Sequence, residues 1–569
     1  MDKFAFLSLF TIIVLSAPIL ISKNAFLGLT PIETDVLASV SGSEAYSYGT
    51  QLENIALSHL AFRSAGSAGA NETADWIANQ FQSFGLEVEK EEFQFTTWDL
   101  LSEPTLIIDD DANFATTGDQ KAIESFQSIH YSWPGNVFAD LVVLPLPAAA
   151  SYDEIGANAI DTVAWDAIDT TGKVVLIGRE VRWSSMWEET YANKLSAQSP
   201  KAVIYTWWYD WMAFVPDFFS SAGGRPVGPF GHYYWNLGIA VGFVNYEDGL
   251  WIRNRESSMD VSAKVIIDSV VGVGPHYNVV GKLNGYGEPG KFVIVSGHYD
   301  TVVTAGFCDN GAGTSGVIEL ARVFTEAVRR GLYYPKFTIL FVAFAAEEIG
   351  LVGSINYVSQ HKVEMEKIMT VINLDCIGSD ILEVSETDLD HGIDLDQIVL
   401  DASGDLGVSA NLIEPGQSDE IPFVSPLYGD DVLMWWWDTS LGIGDAHLVG
   451  SSSSLLGYPY LYQHTPPGWI HTSYDNSTST ETLNWVEADD LEDHIEVAAL
   501  TVMRVSPPVL VGDLNNDGIV DIFDVVTLSI AFGSVPDDSN WNMAADLNND
   551  NVVDIFDVVL LAKNFGKTA

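Results

Sequence analysis

Residues 295–313 read VSGHYDTVVTAGFCDNGAG, an apolar run that breaks into a histidine, two aspartates and several glycines. The stretch KFVIVSGH predicts a buried strand, and the following GVIELARVFTEAVRRG predicts a helix. The pattern continues with KFTILFVAFAAEE as a strand, GSINYVSQHK as a helix and KIMTVINLD as a strand. Strands that alternate with helices predict an α/β fold with a mostly parallel mixed sheet flanked by helices.

Three successive predicted strands end in side chains that can bind a metal. The first ends at His298, the second at Glu347 and Glu348, and the third at Asp375. The carboxyl ends of parallel strands meet at one edge of a sheet, where open α/β sheets place their ligands. The sequence therefore predicts a metal site at this edge.

Two further aspartates belong to the same region. Asp300 follows His298 by two residues, which puts it on the same side of a strand, where it can orient the imidazole. Asp309 lies in the glycine-rich turn CDNGAG just before the predicted helix. The helix N-terminus favours its negative charge, and a carboxylate in this place could bridge two cations.

The composition limits the classes of function. Acidic residues number 78 against 25 lysines and arginines, a formal net charge of −53, while 47% of residues are hydrophobic and 12% aromatic. The chain is therefore expected to be globular and strongly anionic, which excludes nucleic acid and anionic membrane surfaces as partners. Its length of 569 residues predicts two or more domains.

The N-terminus predicts export. An apolar run from Phe4 to Ile21 follows Lys3, which is typical of a secretory signal peptide. The run is also long enough to be retained as a membrane anchor. We assign residues 1–25 to a signal peptide or anchor and expect a secreted, extracellular protein, with attachment to the cell surface as the alternative.

The two cysteines flank the predicted metal site. Cys308 directly precedes Asp309, and Cys376 directly follows Asp375. If both aspartates meet at one metal pair, the two sulfurs could lie close enough for a disulfide. The alternative is two small buried thiols, and two cysteines exclude a disulfide framework.

The character of the sequence changes along the chain. A helical pattern runs from Ser43 to Phe95. Between residues 136 and 261, short β-rich runs such as GKVVLIG and KAVIYTWWY alternate with loops rich in glycine, proline and aromatic residues, which indicates an inserted domain. We therefore predict a main domain at 40–135 and 262–505, an insert at 136–261 and, after SPP at 506–508, a terminal module at 509–569.

The terminal module contains an internal repeat, in which DLNNDGIVDIFDVV at Asp513 recurs as DLNNDNVVDIFDVV at Asp546. Positions 1, 3, 5, 9 and 12 of each loop carry side-chain oxygens, the spacing with which a twelve-residue loop binds calcium. These residues are Asp513, Asn515, Asp517, Asp521 and Asp524, and then Asp546, Asn548, Asp550, Asp554 and Asp557. Gly518 allows the sharp turn at position 6, and Asn551 can adopt the same left-handed backbone in the second copy.

With aspartate at position 12 and one helix after each loop, the module resembles a type I dockerin. This resemblance implies a small α-helical domain that binds two Ca²⁺ ions and a cohesin domain of a scaffold or cell-surface protein. Positions 10 and 11 help to select the partner in the family. Here they are more apolar than usual: Ile522, Phe523, Ile555 and Phe556.

The motifs GHYDT, DNGAG, AAEEIGLVGS, NLDCIG, GQSDEIPF and IHTSYDN lie in this order between residues 63 and 505. They resemble the zinc metallopeptidases of family 28, which include co-catalytic aminopeptidases. The resemblance implies a zinc aminopeptidase fold with two Zn²⁺ ions, Glu347 as the general base and a protease-associated domain at 136–261. It also implies that His298 and Asp375 bind one zinc, Glu348 and His471 bind the other, Asp309 bridges them and Asp300 orients His298.

The last zinc ligand has a competitor in the sequence. His464 in YQHTP also resembles a terminal motif, but His471 is preferred because HTSYDN keeps an acidic residue four positions further on. Ile470 stands where several relatives have a tyrosine, which leaves Tyr462 and Tyr474 as candidates to stabilise the reaction intermediate. Trp435, Trp436 and Trp437 are either a pocket for the substrate side chain or part of a core.

Together these features predict a secreted di-zinc exopeptidase, in the first place an aminopeptidase, that acts on peptides or proteins and attaches to a cohesin. The alternatives are a carboxypeptidase, a mono-zinc enzyme similar to glutaminyl cyclases, and a receptor-like binding protein without catalysis.

Overall fold

The structure is a computed structural model. It describes residues 28–110, 120–129, 132–144, 167–179, 195, 197–207, 238–302, 304–378, 382–385, 395–413, 418–424, 444–450, 475–477, 486–515, 517–548 and 550–568.

The described helices are α1 (Pro31–Leu37), α2 (Gly42–Ser58), α3 (Ala68–Phe84), α4 (Tyr246–Glu256), α5 (Gly313–Arg330), α6 (Val352–Gln360), α7 (Leu395–Leu406), α8 (Ile421–Val424), α9 (Ala488–Val505), α10 (Ile522–Ala531) and α11 (Ile555–Asn564). The described strands are β1 (Glu87–Leu100), β2 (Thr105–Asp109), β3 (Gln120–Ala122), β4 (Gln127–Ser128), β5 (Gly135–Val143), β6 (Val174–Arg179), β7 (Ala202–Trp207), β8 (Ala240–Val244), β9 (Ser262–Ile267), β10 (Ser269–Leu283), β11 (Glu288–His298), β12 (Phe337–Phe344), β13 (Ile368–Asp375), β14 (Leu382–Ser385), β15 (Ala410–Ile413) and β16 (Gly444–Gly450).

The main domain is built on a sheet in the order β1-β10-β12-β11-β13-β16-β14-β15. Its centre is parallel, because β11 pairs in parallel with both β12 and β13, and β13 pairs in parallel with β16. Antiparallel pairs join β1 to β10, β10 to β12 and β14 to β16. The predicted α/β fold with a mixed sheet flanked by helices is therefore confirmed.

Strand β12 explains why helices cover both faces of the sheet. All eight of its residues are buried. Ile339 and Phe341 pack in the larger core, which includes residues of α2, α3, α5 and α9, whereas Leu340 and Val342 pack in a second cluster with residues of α6. This alternation follows from the period of two in a strand, and burial on both sides requires the continuous apolar run FTILFVAF.

A second sheet holds the β-rich part of the chain, in the order β3-β2-β9-β5-β6-β7-β8-β4. The runs GKVVLIG and KAVIYTWWY contribute its strands β6 and β7. The sheet draws on residues from Thr105 to Ile267, and so extends on either side of the predicted segment 136–261. The domain limits and the assignment of the insert as a protease-associated domain stay predictions.

One sequence-based expectation is wrong in part. The helical pattern predicted for residues 43–95 holds for α2 and α3, but β1 begins at Glu87. The segment EVEKEEFQF carries few apolar residues, and β1 pairs antiparallel with β10 over its whole length, from Glu87 opposite Lys282 to Leu100 opposite Ser269. Tertiary pairing therefore decides its structure.

Within the described part of the chain, no helix combines the length and the apolar character that a membrane span needs. The predicted signal peptide or anchor at 1–25 lies outside the described residues.

We expect a pH-dependent contribution to stability from His361, which follows α6. Its Nε2 lies 3.0 Å from Glu91 Oε1 of β1, and this hydrogen bond raises the pKa of His361. The pair stabilises the fold below the unfolded-state pKa of about 6.5, and the stabilisation is lost as pH rises through the raised folded-state pKa. The melting temperatures of wild type and His361→Gln should converge as pH rises from about 5 to about 9. A gap that widened with pH would contradict this assignment.

Candidate metal centre

Three neighbouring strands bring the predicted ligands to one edge of the sheet. Strand β11 ends at His298, and β13 ends at Asp375. Strand β12 lies on the other side of β11 and ends at Phe344, three residues before Glu347. Parallel pairing aligns these ends, as the sequence pattern predicts.

The distances at this edge are short. His298 Nε2 lies 3.2 Å from Asp309 Oδ1, 3.5 Å from Asp375 Oδ1 and 3.9 Å from Glu347 Oε2. His298, Asp309 and Asp375 each offer one ligand atom, and these atoms lie within 4.8 Å of one another. An imidazole nitrogen with carboxylate oxygens is a donor set that zinc accepts. The residues present therefore fit a zinc ion.

Asp300 supports the site in two directions. His298 Nδ1 lies 3.2 Å from the backbone oxygen of Asp300, so the carbonyl can accept a hydrogen bond from the ring. The Asp300 carboxylate accepts hydrogen bonds from the backbone nitrogens of Glu347 at 3.0 Å and Glu348 at 3.4 Å. Asp300 thus joins the histidine strand to the turn that carries both glutamates. Its predicted catalytic role stays a prediction.

The loop that carries Asp309 is held from behind by Asp475. The carboxylate of Asp475 accepts hydrogen bonds from the backbone nitrogens of Cys308 at 2.6 Å and Asp309 at 3.1 Å. Asp475 is buried. Asp475 therefore fixes the backbone from which the Asp309 side chain projects.

Asn310 joins the Asp309 loop to the end of β13. Its side chain donates to the Leu374 carbonyl at 2.9 Å and accepts from the backbone nitrogens of Gly313 at 2.8 Å and Cys376 at 3.1 Å. Asn310 is fully buried. This amide group therefore ties the Asp309 loop to the end of β13 and helps to set the spacing between Asp309 and Asp375.

Arg63 provides a fourth support. Its guanidinium is fully buried and donates to the carbonyls of Tyr299 at 3.0 Å, Ala305 at 2.5 Å and Gly306 at 3.0 Å. Burial lowers the pKa of Arg63 to about 10, although Asp475 and other nearby carboxylates oppose the shift. Arg63 holds both ends of the loop between His298 and Asp309.

Residues 418–423, the described part of the motif GQSDEIPF, contact α6 and β13. Ser354 Oγ donates to Asp419 Oδ1 at 2.5 Å, and Asn373 Nδ2 donates to Ser418 Oγ at 3.0 Å and Glu420 Oε2 at 3.2 Å. Burial raises the pKa of Asp419 to about 8. The motif connects α6 with β13 close to the metal centre.

The electrostatics of the site favour a cation. Burial raises the pKa of Glu347 well above its usual range, and the carboxylates of Glu348 and Asp375 raise it further, although His298 opposes them. Burial disfavours the charged form of His298, but the surrounding carboxylates outweigh it and raise its pKa. So many buried carboxylates repel one another, and a bound divalent cation would stabilise their ionised forms.

Of the other predicted site residues, Glu348 is described by the structure, and several others are not. Glu348 is half-buried beside Glu347 but does not belong to the three-residue cluster. His471 and its competitor His464 lie outside the described residues, as do Tyr462, Tyr474 and the three tryptophans 435–437.

The two cysteines are free and buried. The disulfide hypothesis is therefore wrong, and the alternative of two buried thiols is the one that the structure shows. The side chains still lie close together, since each thiol affects the pKa of the other. Burial raises the pKa of the Cys376 thiol well above its usual range.

The terminal repeat forms two matching loops, each followed by a helix. In the first loop the Asp524 carboxylate accepts from the backbone nitrogens of Leu514 and Asn515 at 2.7 and 3.2 Å, and from that of Asp521 at 2.7 Å. In the second, Asp557 accepts from the equivalent nitrogens at 2.6, 3.1 and 2.7 Å.

The sixth position of each loop has the same backbone. Gly518 has φ +87° and Asn551 has φ +65°, so asparagine does adopt the left-handed conformation that the sequence requires of it. In each loop the carboxylate oxygens of the first aspartate accept from two backbone nitrogens: Asp513 from Asp517 and Gly518, and Asp546 from Asp550 and Asn551. Such oxygen ligands are those that calcium prefers.

Comparison with known families agrees with both sites. Residues 278–492 match the model of peptidase family M28, and residues 511–566 match the type I dockerin domain. The chain therefore contains a metallopeptidase domain of family M28, and the module after it is a type I dockerin domain.

Alignments with similar proteins cover more residues than the matched family domain. The sequence is 26% identical to an aminopeptidase of Pseudomonas aeruginosa over 333 residues, which cover 58% of this chain and 56% of that protein. It is 25% identical to leucine aminopeptidase 2 of Arthroderma otae over 347 residues, covering 61% of this chain and 59% of that protein. The chain thus spans little more than half the length of these relatives.

Solved structures show the same fold. A zinc aminopeptidase from Bacillus subtilis has a TM-score of 0.55 at 23% identity, covering 82% of this chain and 95% of that one. An aminopeptidase from an Aneurinibacillus strain has a TM-score of 0.53 at 22% identity, covering 84% and 97%. These likenesses confirm the zinc aminopeptidase fold.

Four supporting residues were not identified as such from the sequence: Arg63, Asn310, Asp419 and Asp475. Arg63 opens the loop RSAGSAGA, and nothing local relates it to a loop more than 230 residues further on. Asp475 had a signal, because its spacing from His471 was what selected that histidine.

Replacing Arg63 should loosen the metal centre. We expect Arg63→Ala to leave three buried carbonyls without a donor, at a cost of about 1–3 kcal/mol each before relaxation. Arg63→Lys should recover only part of this loss, because an ammonium group cannot reach three carbonyls in a fork. Denaturant unfolding and a zinc competition assay would measure both effects.

The exposed Arg329 on α5 provides the matched control, since its side chain is 72% exposed and pairs only with Glu326 among the ion pairs of the described residues. Arg329→Ala should leave both readouts unchanged. Equal effects at the two arginines would contradict the role of Arg63.

Proposed function

We propose that this protein is a secreted di-zinc aminopeptidase that is attached to a cohesin-bearing partner through its dockerin. The observation that carries the peptidase part is the buried cluster of His298, Asp309 and Asp375 beside Glu347, in a domain of family M28. The names of the similar aminopeptidases support the choice of aminopeptidase over carboxypeptidase.

The proposed ligands divide between two zinc ions. His298 and Asp375 would hold one, Glu348 and His471 would hold the other, and Asp309 would contribute to both. Zinc bound by these residues would supply a water molecule of lowered pKa and an electrophile for the scissile carbonyl. The position of Asp309 supports its role, because two independent clamps, Asp475 and Asn310, fix its backbone.

Glu347 is the proposed proton carrier. It takes a proton from the attacking water and returns it to the leaving amine, as the carbon–oxygen bond forms and the peptide carbon–nitrogen bond breaks. Two observations support this role. Its Oε2 lies 3.9 Å from His298 Nε2, which places the carboxylate beside the ligand cluster. Burial raises its pKa, which suits a group that must accept and release a proton.

The aminopeptidase proposal predicts separate effects for the two adjacent glutamates. Glu347→Gln should lower kcat on aminoacyl substrates by about 10²–10⁴, the usual contribution of a general base, while zinc content stays near two per chain. Glu348→Gln should lower both zinc content and activity. Elemental analysis and hydrolysis of aminoacyl and N-blocked substrates would measure this.

Other results would favour other enzymes. One zinc per chain without peptidase activity would exclude the proposal and favour the mono-zinc cyclase alternative. Activity confined to N-blocked substrates with a free carboxyl end would favour a carboxypeptidase.

The dockerin carries the proposed attachment. Ile522 and Phe523 at the start of α10 are 57% and 64% exposed, and Ile555 and Phe556 at the start of α11 are 57% and 63% exposed. Large apolar side chains at such exposure are typical of a binding surface. Their positions correspond in the two repeats, so the dockerin offers two similar apolar surfaces to a cohesin, with one Ca²⁺ ion proposed in each loop.

We expect binding to depend on these aromatic side chains. The double variant Phe523→Ala with Phe556→Ala should weaken binding to a responsive cohesin at least about tenfold, because exposed aromatic residues are common binding hot spots. Surface plasmon resonance against a panel of cohesin domains would measure the loss. Calcium binding by the variant should be unchanged, since neither phenylalanine belongs to the oxygen ligands. Unaltered cohesin affinity would exclude this surface.

A further inference from the structure

The junction between the two matched domains, residues 506–508, packs against the peptidase domain. Ser506, the first residue of SPP, is buried. Its carbonyl accepts from the Tyr333 hydroxyl at 2.5 Å, and its Oγ accepts from the backbone nitrogen of Phe337 at 2.9 Å. Pro508 forms an isolated antiparallel bridge with Pro335. A flexible linker would make none of these contacts.

Beyond the junction, two tyrosines of the peptidase domain enter the hydrophobic core of the dockerin. Tyr334 is 6% exposed and belongs to the same buried cluster as Val520, Val553 and Leu561, with Tyr286 packed against that cluster. The Tyr286 and Tyr334 rings meet edge to face with centroids 4.8 Å apart. The dockerin core is therefore completed by side chains of another domain.

Polar contacts fix the orientation of this packing. The backbone nitrogen of Val509 donates to the Tyr334 carbonyl at 2.9 Å. Asn564, at the end of α11, lowers the pKa of the Tyr334 hydroxyl against the effect of burial, and Leu561 of the same helix shares the buried cluster with Tyr334. The dockerin therefore contacts the peptidase domain through Val509, near its first residue, and through its last helix, α11. These two contacts restrict rotation of the dockerin about the junction.

The contact of Tyr286 and Tyr334 with the dockerin core, which we call the seat, lies at the end of the sheet opposite the metal centre. Tyr286 precedes β11 and Tyr334 precedes β12, whereas His298 ends β11 and Glu347 follows β12. An eight-residue strand such as β12 spans about 25 Å. The cohesin-facing pairs Ile522–Phe523 and Ile555–Phe556 remain exposed.

We propose that the dockerin is a fixed part of the peptidase, seated on Tyr286 and Tyr334, so that a bound scaffold lies at the end of the sheet away from the metal centre. The partner of this seat is the chain's own dockerin. Because Tyr334 lies in the core between the two loops, calcium binding stabilises the seat, and the seat raises calcium affinity in return. This second part rests on the proposed calcium loops.

Small-angle X-ray scattering of the full chain tests the fixed arrangement without calcium chemistry or activity. The comparison is with a variant that carries ten glycine and serine residues inserted after Pro508, a flexible segment of about 17 Å root-mean-square length. We expect wild type to have the smaller maximum dimension and to resist cleavage between residues 506 and 511. Equal dimensions and equal cleavage rates would overturn the proposal.

Hydrogen–deuterium exchange tests the coupling. Adding calcium to the zinc-loaded chain should slow exchange in residues 331–337 of wild type and Tyr334→Phe, but not of Tyr334→Ala. Tyr334→Ala should also weaken calcium binding about tenfold or more, whereas Phe523→Ala, which alters an exposed dockerin aromatic, should not. Protection of the dockerin loops without any change in 331–337 would overturn the coupling. If the loops bind no calcium, the proposed calcium sites fail, and the scattering result alone decides the seat.

Discussion

The repulsion among buried carboxylates at the end of β11 is the constraint on which the metal centre depends. Asp300 and Asp309 are buried, and Glu347, Glu348 and Asp375 stand beside them with one imidazole between. Left alone, these groups would take up protons, as the raised pKa values of Glu347 and Asp300 show. The chain keeps them together by fixing the backbone that carries each one.

That backbone is fixed by polar groups with exact partners. Arg63 donates hydrogen bonds to three carbonyls, and the side-chain amide of Asn310 both donates and accepts hydrogen bonds. Asp475 accepts two backbone hydrogens and so adds a further negative charge near the site. Its charge is tolerable because Arg63 lies nearby, as the influence of Asp475 on the pKa of Arg63 shows. The residues that support the site thus balance their own charges, the negative charge of Asp475 against the positive charge of Arg63.

The sequence predicts the parts of this arrangement that are local. The apolar runs gave β11, β12 and β13, and residues at their ends fall at one edge because parallel strands share a direction. Asp309 was found because it lies in a glycine-rich turn before a helix. Arg63 and Asp419 were missed, because their partners are distant in sequence and no short-range pattern relates them. The strand β1 was misread for the same reason, since its structure comes from pairing with β10.

The dockerin shows the same difference between local and distant information. Its loops can be read from the repeat alone, down to the left-handed Asn551 that replaces Gly518. Its seat cannot, because SPP has the composition of a boundary and Tyr334 has the appearance of an ordinary residue before a strand. A small domain of about sixty residues buries little apolar surface of its own. Packing against Tyr286 and Tyr334 completes its core, and the same contact would determine where a cohesin bound to the dockerin lies relative to the metal centre.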